Sequence, residues 1–142
     1  MNEIWHPCAG FETHYEVSNL GNVRSIERMV NNRMSNGLRK SPAKLLKQGK
    51  SKSGYMIVCF CIDGIKSNHN VHRLVARAFI ENQSNKAQVN HKDGNKLNNC
   101  VSNLEWMTAS ENTKHAYSVL NVFHYKRNKL KAEFDAYKAT HP

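Results

Sequence analysis

A chain of 142 residues is long enough for one modest domain or two very small ones. Its 39% hydrophobic content allows a lean core, no apolar run reaches the ~20 residues that span a bilayer, and "MNEIWHPCAG" lacks the basic start and apolar stretch of a secretion signal, so a soluble cytoplasmic protein with no membrane partner is expected. Lys and Arg number 21 against 11 Asp and Glu, and the formal charge of +10 favours polyanionic partners through phosphate contacts and counterion release.

In "HYEVSNLGNVRSIER", Tyr15 and Val17 alternate with polar residues, Asn19-Leu20-Gly21-Asn22 is turn chemistry, and Val23 and Ile26 resume the apolar pattern, which predicts a hairpin. The next stretch, "VNNRMSNGLRKSPAKLLKQGKSKSG", predicts a long mobile loop broken by a short extended piece around Leu45 and Leu46. It lies in a basic run (Arg24, Arg28, Arg33, Arg39, Lys40, Lys44, Lys47, Lys50, Lys52) with Glu27 its one acid. Such a run is either a solvated face or a nucleic-acid contact, and the rest of the chain favours the contact. "YMIVCFCIDGIKSNHNVH" predicts a second hairpin, with a strand over 55–62 and a tight turn at Asp63-Gly64.

"NVHRLVARAFI" then changes period. Val71, Leu74, Val75, Ala78 and Phe79 form one helical face, with Asn70 as N-cap. Arg73 and Arg77 sit one turn apart on the opposite face, either solvated or on phosphate, and His72 reads as a structural surface residue. A short strand over 88–90 leads into "VNHKDGNKLNN", and "NLEWMT" supplies a second strand in which Trp106 reads as a core anchor. Thr108 with Glu111 three residues on is a capping box, starting a helix that continues through Asn112, His115 and Tyr117. The remaining "FHYKRNKLKAEFDAYKA" is helix-compatible, with Phe123, Leu130, Phe134 and Tyr137 as a possible stripe; it is expected to pack on the sheet or lie along a phosphate backbone. Cysteines 8, 59, 61 and 100 form no C-x-x-C pair, so reduced, mostly buried thiols are expected rather than a zinc knuckle.

The last third thus reads strand, polar loop, strand, helix. Hydrolysis of a phosphodiester needs a base for water and a divalent cation for the phosphate charge and the departing oxygen. A ββα unit can supply both compactly. The base stands at the end of the first strand, and the helix brings ligands across the groove. His91 ends that strand, and its neutral imidazole can act as a base near pH 7. Read without further context, the same residues could form only a polar surface turn.

The segment "VHRLVARAFI…VNHKDGNKLNNCVSNLEWMTASENTKHAY", from about Val71 to Tyr117, resembles the HNH nuclease motif of phage and intron-associated endonucleases. "EIWHPCAGFETHYEVSNLGNVRSI" resembles the nuclease-associated modular domain that often precedes it in homing endonucleases, and the two segments cover about half the chain. The resemblance implies an α+β protein: a small N-terminal antiparallel sheet, a ββα-metal motif and a C-terminal helix, divided as 1–68, 69–120 and 121–142. It implies that His91 is the general base, that Asn103 bonds across the loop and orients His91, and that Asn112 ligates the metal from the helix. Asn90 occupies the position where a metal-binding aspartate is common; Asp93 is either an auxiliary ligand or a plain turn residue, and His115 a further ligand or phosphate contact. With neutral ligands, Mg²⁺ or Mn²⁺, one ion per site, fits better than Zn²⁺.

The implied activity is hydrolysis of double-stranded DNA to 5′-phosphate and 3′-hydroxyl ends, by a monomer nicking one strand or by a dimer, inside a bacterial host if the chain is phage-encoded. Lys92, Lys96 and Lys114 would hold the scissile strand, and Arg24, Arg28, Arg39, Lys40, Arg73 and Arg77 are further DNA-contact candidates. The alternative is a DNA-binding protein of the same fold whose nuclease site has decayed, for which the neutral Asn90 argues.

Overall fold

The computed structural model describes residues 2–31 and 37–140. Its order is β1 (Trp5–Pro7), β2 (Tyr15–Ser18), β3 (Val23–Ser25), β4 (Arg28–Asn31), β5 (Leu38–Ser41), β6 (Lys44–Leu45), β7 (Gly49–Lys50), β8 (Met56–Ile62), β9 (Ile65–Asn70), α1 (Val71–Phe79), β10 (Gln88–His91), a 3₁₀ turn (Val101–Asn103), β11 (Leu104–Met107) and α2 (Ala109–Thr140). All strand pairs are antiparallel, in sheets ordered β1-β2-β3-β6, β4-β5, β7-β8-β9 and β10-β11. No helix among the described residues is long and apolar enough to cross a membrane.

The two predicted hairpins form. Asp63 (φ 50°) and Gly64 (φ 83°) both take the left-handed conformation that a two-residue primed turn demands. The basic stretch is more ordered than a loop. β4 and β5 make a hairpin of their own, β6 adds to the edge of β3, and β7 adds to β8. β6 is the extended piece expected around Leu45 and Leu46; the other strands are short and mostly exposed, so they carry little apolar periodicity in the sequence. Arg33 lies outside the described residues.

One buried cluster joins the front and back of the chain. Cys8, Tyr15, Val17 and Val23 meet Val58 and Phe60 of β8, the apolar face of α1, and Val89 and Leu104 of the last hairpin. Tyr15 stacks on Phe60 with ring centroids 3.9 Å apart. Its hydroxyl donates to the Cys61 carbonyl at 3.0 Å and accepts from the Cys61 amide at 2.8 Å. His6 of β1 stacks on Phe79 at the end of α1. Trp106 packs against this core and donates from its indole nitrogen to the Ile80 carbonyl at 3.0 Å.

Three details differ from expectation. Asn70 stands at the N-cap of α1, but its side chain makes no capping bond there. Of the four free thiols only Cys8 is buried; Cys59 and Cys61 share the outer face of β8, with Phe60 between them pointing inward. The tail is the continuation of α2, and Leu130, Phe134 and Tyr137 on it are exposed rather than packed on a sheet. The side chain of Phe123 lies outside the described residues.

Candidate active site

Strand register builds the site. In the β10–β11 pair, His91 lies opposite Leu104 and Asn90 opposite Glu105, so alternation sends His91 toward the core and Asn90 to the other face. The amide nitrogen of Asn90 donates to Glu105 at 3.0 Å. A carboxylate only accepts, so the Asn90 carbonyl oxygen is turned away from Glu105. The α2 helix begins with the predicted capping box. The Thr108 amide donates to the Glu111 carboxylate at 2.8 Å, and the Glu111 amide donates to the Thr108 hydroxyl at 3.2 Å. Lys86 pairs with Glu111 at 3.0 Å. Hydrogen bonding from the Thr108 amide and then Lys86 pulls the Glu111 carboxyl down to about 2. The first turn so fixed carries Asn112, whose amide nitrogen donates to Gln88 at 2.7 Å.

Between the hairpin and α2 runs a groove of about 560 Å³ lined by His91, Asn90, Asn112, His115, Lys96 and Tyr55, among others. His91 is only 4% exposed, so it can meet a water only inside that groove. Its Nε2 lies 3.1 Å from Oδ1 of Asn99. The Asn99 amide nitrogen donates to the Leu97 carbonyl at 3.2 Å, which fixes the orientation of the amide. His91 must therefore donate from Nε2, and its lone pair resides on Nδ1.

Asn103 works one layer behind. It accepts from the Asp93 amide at 3.1 Å and donates to the Asp93 carboxylate and the Asn98 carbonyl, each at 2.9 Å. It bonds across the loop as the resemblance implies, but the side chain that meets the His91 ring is Asn99. Asp93 is a loop organiser, taking bonds also from the Asn95 amide and Asn98, each at 2.8 Å. Desolvation raises its pKa, but bonds from Asn98, Asn95 and Asn103 and the charge of His91 outweigh that and hold it below the usual carboxylate value.

His72 is not on the surface. It is 6% exposed, its ring centroid lies 5.2 Å from that of His91, and its Nδ1 has no hydrogen-bond partner among the described residues. Burial, then the charges of His91 and Arg73, push its pKa down to about 4. Tyr55 lies against both rings, at 4.8 Å from His72 and 6.0 Å from His91. The Lys96 ammonium sits 4.5 Å above the Tyr55 ring and donates to the Ser53 carbonyl.

The basic candidates separate into groups. Lys92 reaches the Ser102 carbonyl, and Lys114 is exposed on α2. Arg73 and Arg77 line a second groove with Trp106 and Lys86, where Arg73 donates to the Ala87 carbonyl. On the front sheets, Arg24 is held by Glu16 at 2.7 Å and lies 4.2 Å over the Trp5 ring. Lys40 pairs with Glu27, Arg28 lies over Tyr15, and Arg39 is exposed on β5.

Among the described residues no three His, Cys, Asp or Glu side chains are grouped to hold a metal ion. Asn90, Asn112 and His115 line the same groove, and since the amide nitrogens of Asn90 and Asn112 are engaged by Glu105 and Gln88, their amide oxygens are the candidate donors. Neutral oxygen donors on one wall of a groove, with room for a phosphate opposite, fit a hard divalent cation shared with substrate. The sequence did not single out Tyr55 or Asn99, and it placed His72 on the surface. Asn98 and Asn99 are alike in the sequence, and only the loop geometry turns the second one inward.

Comparison with known proteins covers both the front and the rear of the chain. Residues 3–61 match the NUMOD4 motif and residues 69–114 match the HNH endonuclease family. An uncharacterized HNH endonuclease of Acanthamoeba polyphaga mimivirus, L245, is 44% identical over 112 residues, covering 79% of this chain and 29% of its own length. The DNA endonuclease I-HmuI of Bacillus phage SP01 is 38% identical over 120 residues, covering 83% of this chain and 61% of its own length. A solved structure described as DNA binding and cleavage by the HNH homing endonuclease I-HmuI superposes with a TM-score of 0.65 and 35% identity, over 87% of this chain and 64% of that one. The chain thus spans less than two thirds of these relatives. With a NUMOD4 motif ahead of an HNH segment, and the fold of an HNH homing endonuclease around both, the chain belongs to the HNH endonuclease family.

Proposed function

We propose that the protein is a divalent-metal-dependent DNA endonuclease that nicks one strand, leaving 5′-phosphate and 3′-hydroxyl ends. The observation that carries this reading is the His91 imidazole, oriented by Asn99 and opening onto the groove lined by Asn90 and Asn112. His91 takes a proton from water at Nδ1 and becomes an imidazolium whose Nε2–H still points at Asn99. Lys96 and the exposed Lys114 draw the phosphate backbone to the groove, while the amide oxygens of Asn90 and Asn112 would hold Mg²⁺ or Mn²⁺. When bound, that cation supplies neutralisation of phosphate charge and of the departing 3′ oxygen. One groove serves one strand, so a monomer nicks.

Nicking of supercoiled plasmid in Mg²⁺ or Mn²⁺ tests the proposal. His91→Ala should lose cutting while retaining DNA binding. Binding without cutting by the unmutated protein, under either metal, would instead support a decayed nuclease that only binds DNA.

A further inference from the structure

We propose that the turn of the front hairpin, residues 19–22, is a positioning element of the catalytic centre: Gly21 seats Asn99, and Asn99 fixes the His91 ring. The inference rests on His91 being the base, and assigns to the front segment a part in catalysis besides DNA contact.

The contact leaves no room for a side chain. Gly21 has φ +86°, and a Cβ placed there would stand 2.9 Å from Cβ of Asn99 and 3.1 Å from its carbonyl oxygen. Backbone atoms of Asn99 cannot yield as the end of a flexible side chain would. The turn is itself held from both sides. Gln48 donates to the Gly21 carbonyl at 2.7 Å, and Asn19 accepts from the Ile4 amide at 2.8 Å and donates to the Asn2 carbonyl. It grips the back segment a second time, where the Val101 amide donates to the Asn19 carbonyl at 2.8 Å. Asn99, bracketed by Gly21 and by this bond two residues on, is 5% exposed and has its amide orientation set by Leu97. Its Oδ1 is the atom that meets His91. Three short contacts thus link a turn 70 residues earlier in the chain to the imidazole.

Gly10 supplies a control within the same protein. It has φ +81°, so alanine there carries comparable backbone strain, but a Cβ would meet nothing within 4 Å. The experiment compares Gly21→Ala, Gly10→Ala, Asn99→Ala and Asn99→Asp in the full chain by two readouts. The first is the hydrogen-bonded imidazole N–H of His91 in proton and ¹⁵N spectra, without DNA or metal. The second is steady-state nicking.

Gly21→Ala and Asn99→Ala should lose the protected imidazole proton and lower kcat about 10- to 100-fold, with KM for DNA within about threefold, as a misplaced catalytic group does. Asn99→Asp, which keeps an acceptor for Nε2–H, should retain the proton. Gly10→Ala should match the unmutated protein in both. A proton unchanged in Gly21→Ala and Asn99→Ala, or a loss equally large in Gly10→Ala, would overturn the proposal. The spectra report seating even if the protein never cuts, so a failed nuclease assignment and a failed seating assignment are told apart.

Discussion

Asn103 and Asp93 grip each other at two points. The Asp93 backbone amide donates to the side-chain Oδ1 of Asn103 at 3.1 Å, and the Asn103 side-chain nitrogen donates back to the Asp93 carboxylate at 2.9 Å. The pair closes the loop between β10 and the 3₁₀ turn, and the Asn98 carbonyl is drawn into the same knot. Asn103→Ala removes partners from three polar groups at a site only 8% exposed. It should cost about 1–3 kcal/mol of stability in urea denaturation. Asn103→Asp sets two carboxylates together and should cost more than alanine near neutral pH. Equal stability of both variants with the unmutated protein would show that the loop does not depend on this knot.

Asn90→Asp tests the neutral donor set. The new carboxylate would lose the bond to Glu105 and repel it across the strand pair, so in EDTA the variant should melt below the unmutated protein, by roughly 1–3 kcal/mol. Added Mn²⁺ should raise its melting temperature by more than that of the unmutated protein, since at a given metal concentration the state that binds the ion more tightly is stabilised more. A melting temperature indifferent to Mn²⁺ would place the cation away from Asn90.

His72 makes stability depend on pH. Its folded pKa is near 4, against about 6.5 when unfolded, because burial, His91 and Arg73 disfavour the charged ring. Below pH 6.5 the unfolded chain takes up a proton that the folded chain refuses. Stability should fall as pH drops from 6.5 toward 4, by about 3 kcal/mol in all, and level off below. His72→Gln should remove that slope in denaturant titrations across this window. A slope left intact would assign it to other groups.

The capping box should survive mild acid. With its folded pKa near 2, below the ordinary carboxyl value of 4.5, Glu111 contributes stability that is fully present above pH 4.5 and is lost as pH falls toward 2. Thr108→Ala removes the reciprocal bond and should cost about 1 kcal/mol. Helicity by circular dichroism, followed from pH 6 to pH 2, checks both.

Much of the site could be read in advance because turn chemistry and capping are local. Asn19 to Asn22, Asp63-Gly64, and Thr108 with Glu111 carry their structure within a few residues, and His91 closes its strand where alternation places it. What was missed is carried by long-range packing. His72 looks like a polar position on a helix until Tyr55 and His91 of β10 close over it. Asn99 acquires its partner only when Gly21 presses on it. Strands β4, β5 and β7 escaped because they bury little, so their pairing leaves no apolar rhythm, whereas β6 is the extended piece expected around Leu45 and Leu46.

The Tyr15 hydroxyl, clasped by both polar groups of Cys61, has a consequence for how such chains can be recombined. A graft whose junction falls between Tyr15 and Phe60 must carry over matching partners for that phenol and for the ring beneath it, and any graft that joins the front of one homologue to the rear of another must match the glycine that faces Asn99. Chimeras cut between 61 and 69 keep Tyr15, Phe60 and Cys61 together but part Gly21 from Asn99, so they should lose that fit unless both halves come from backgrounds sharing the glycine and the asparagine, whereas exchanges confined to the β4–β5 hairpin should be tolerated.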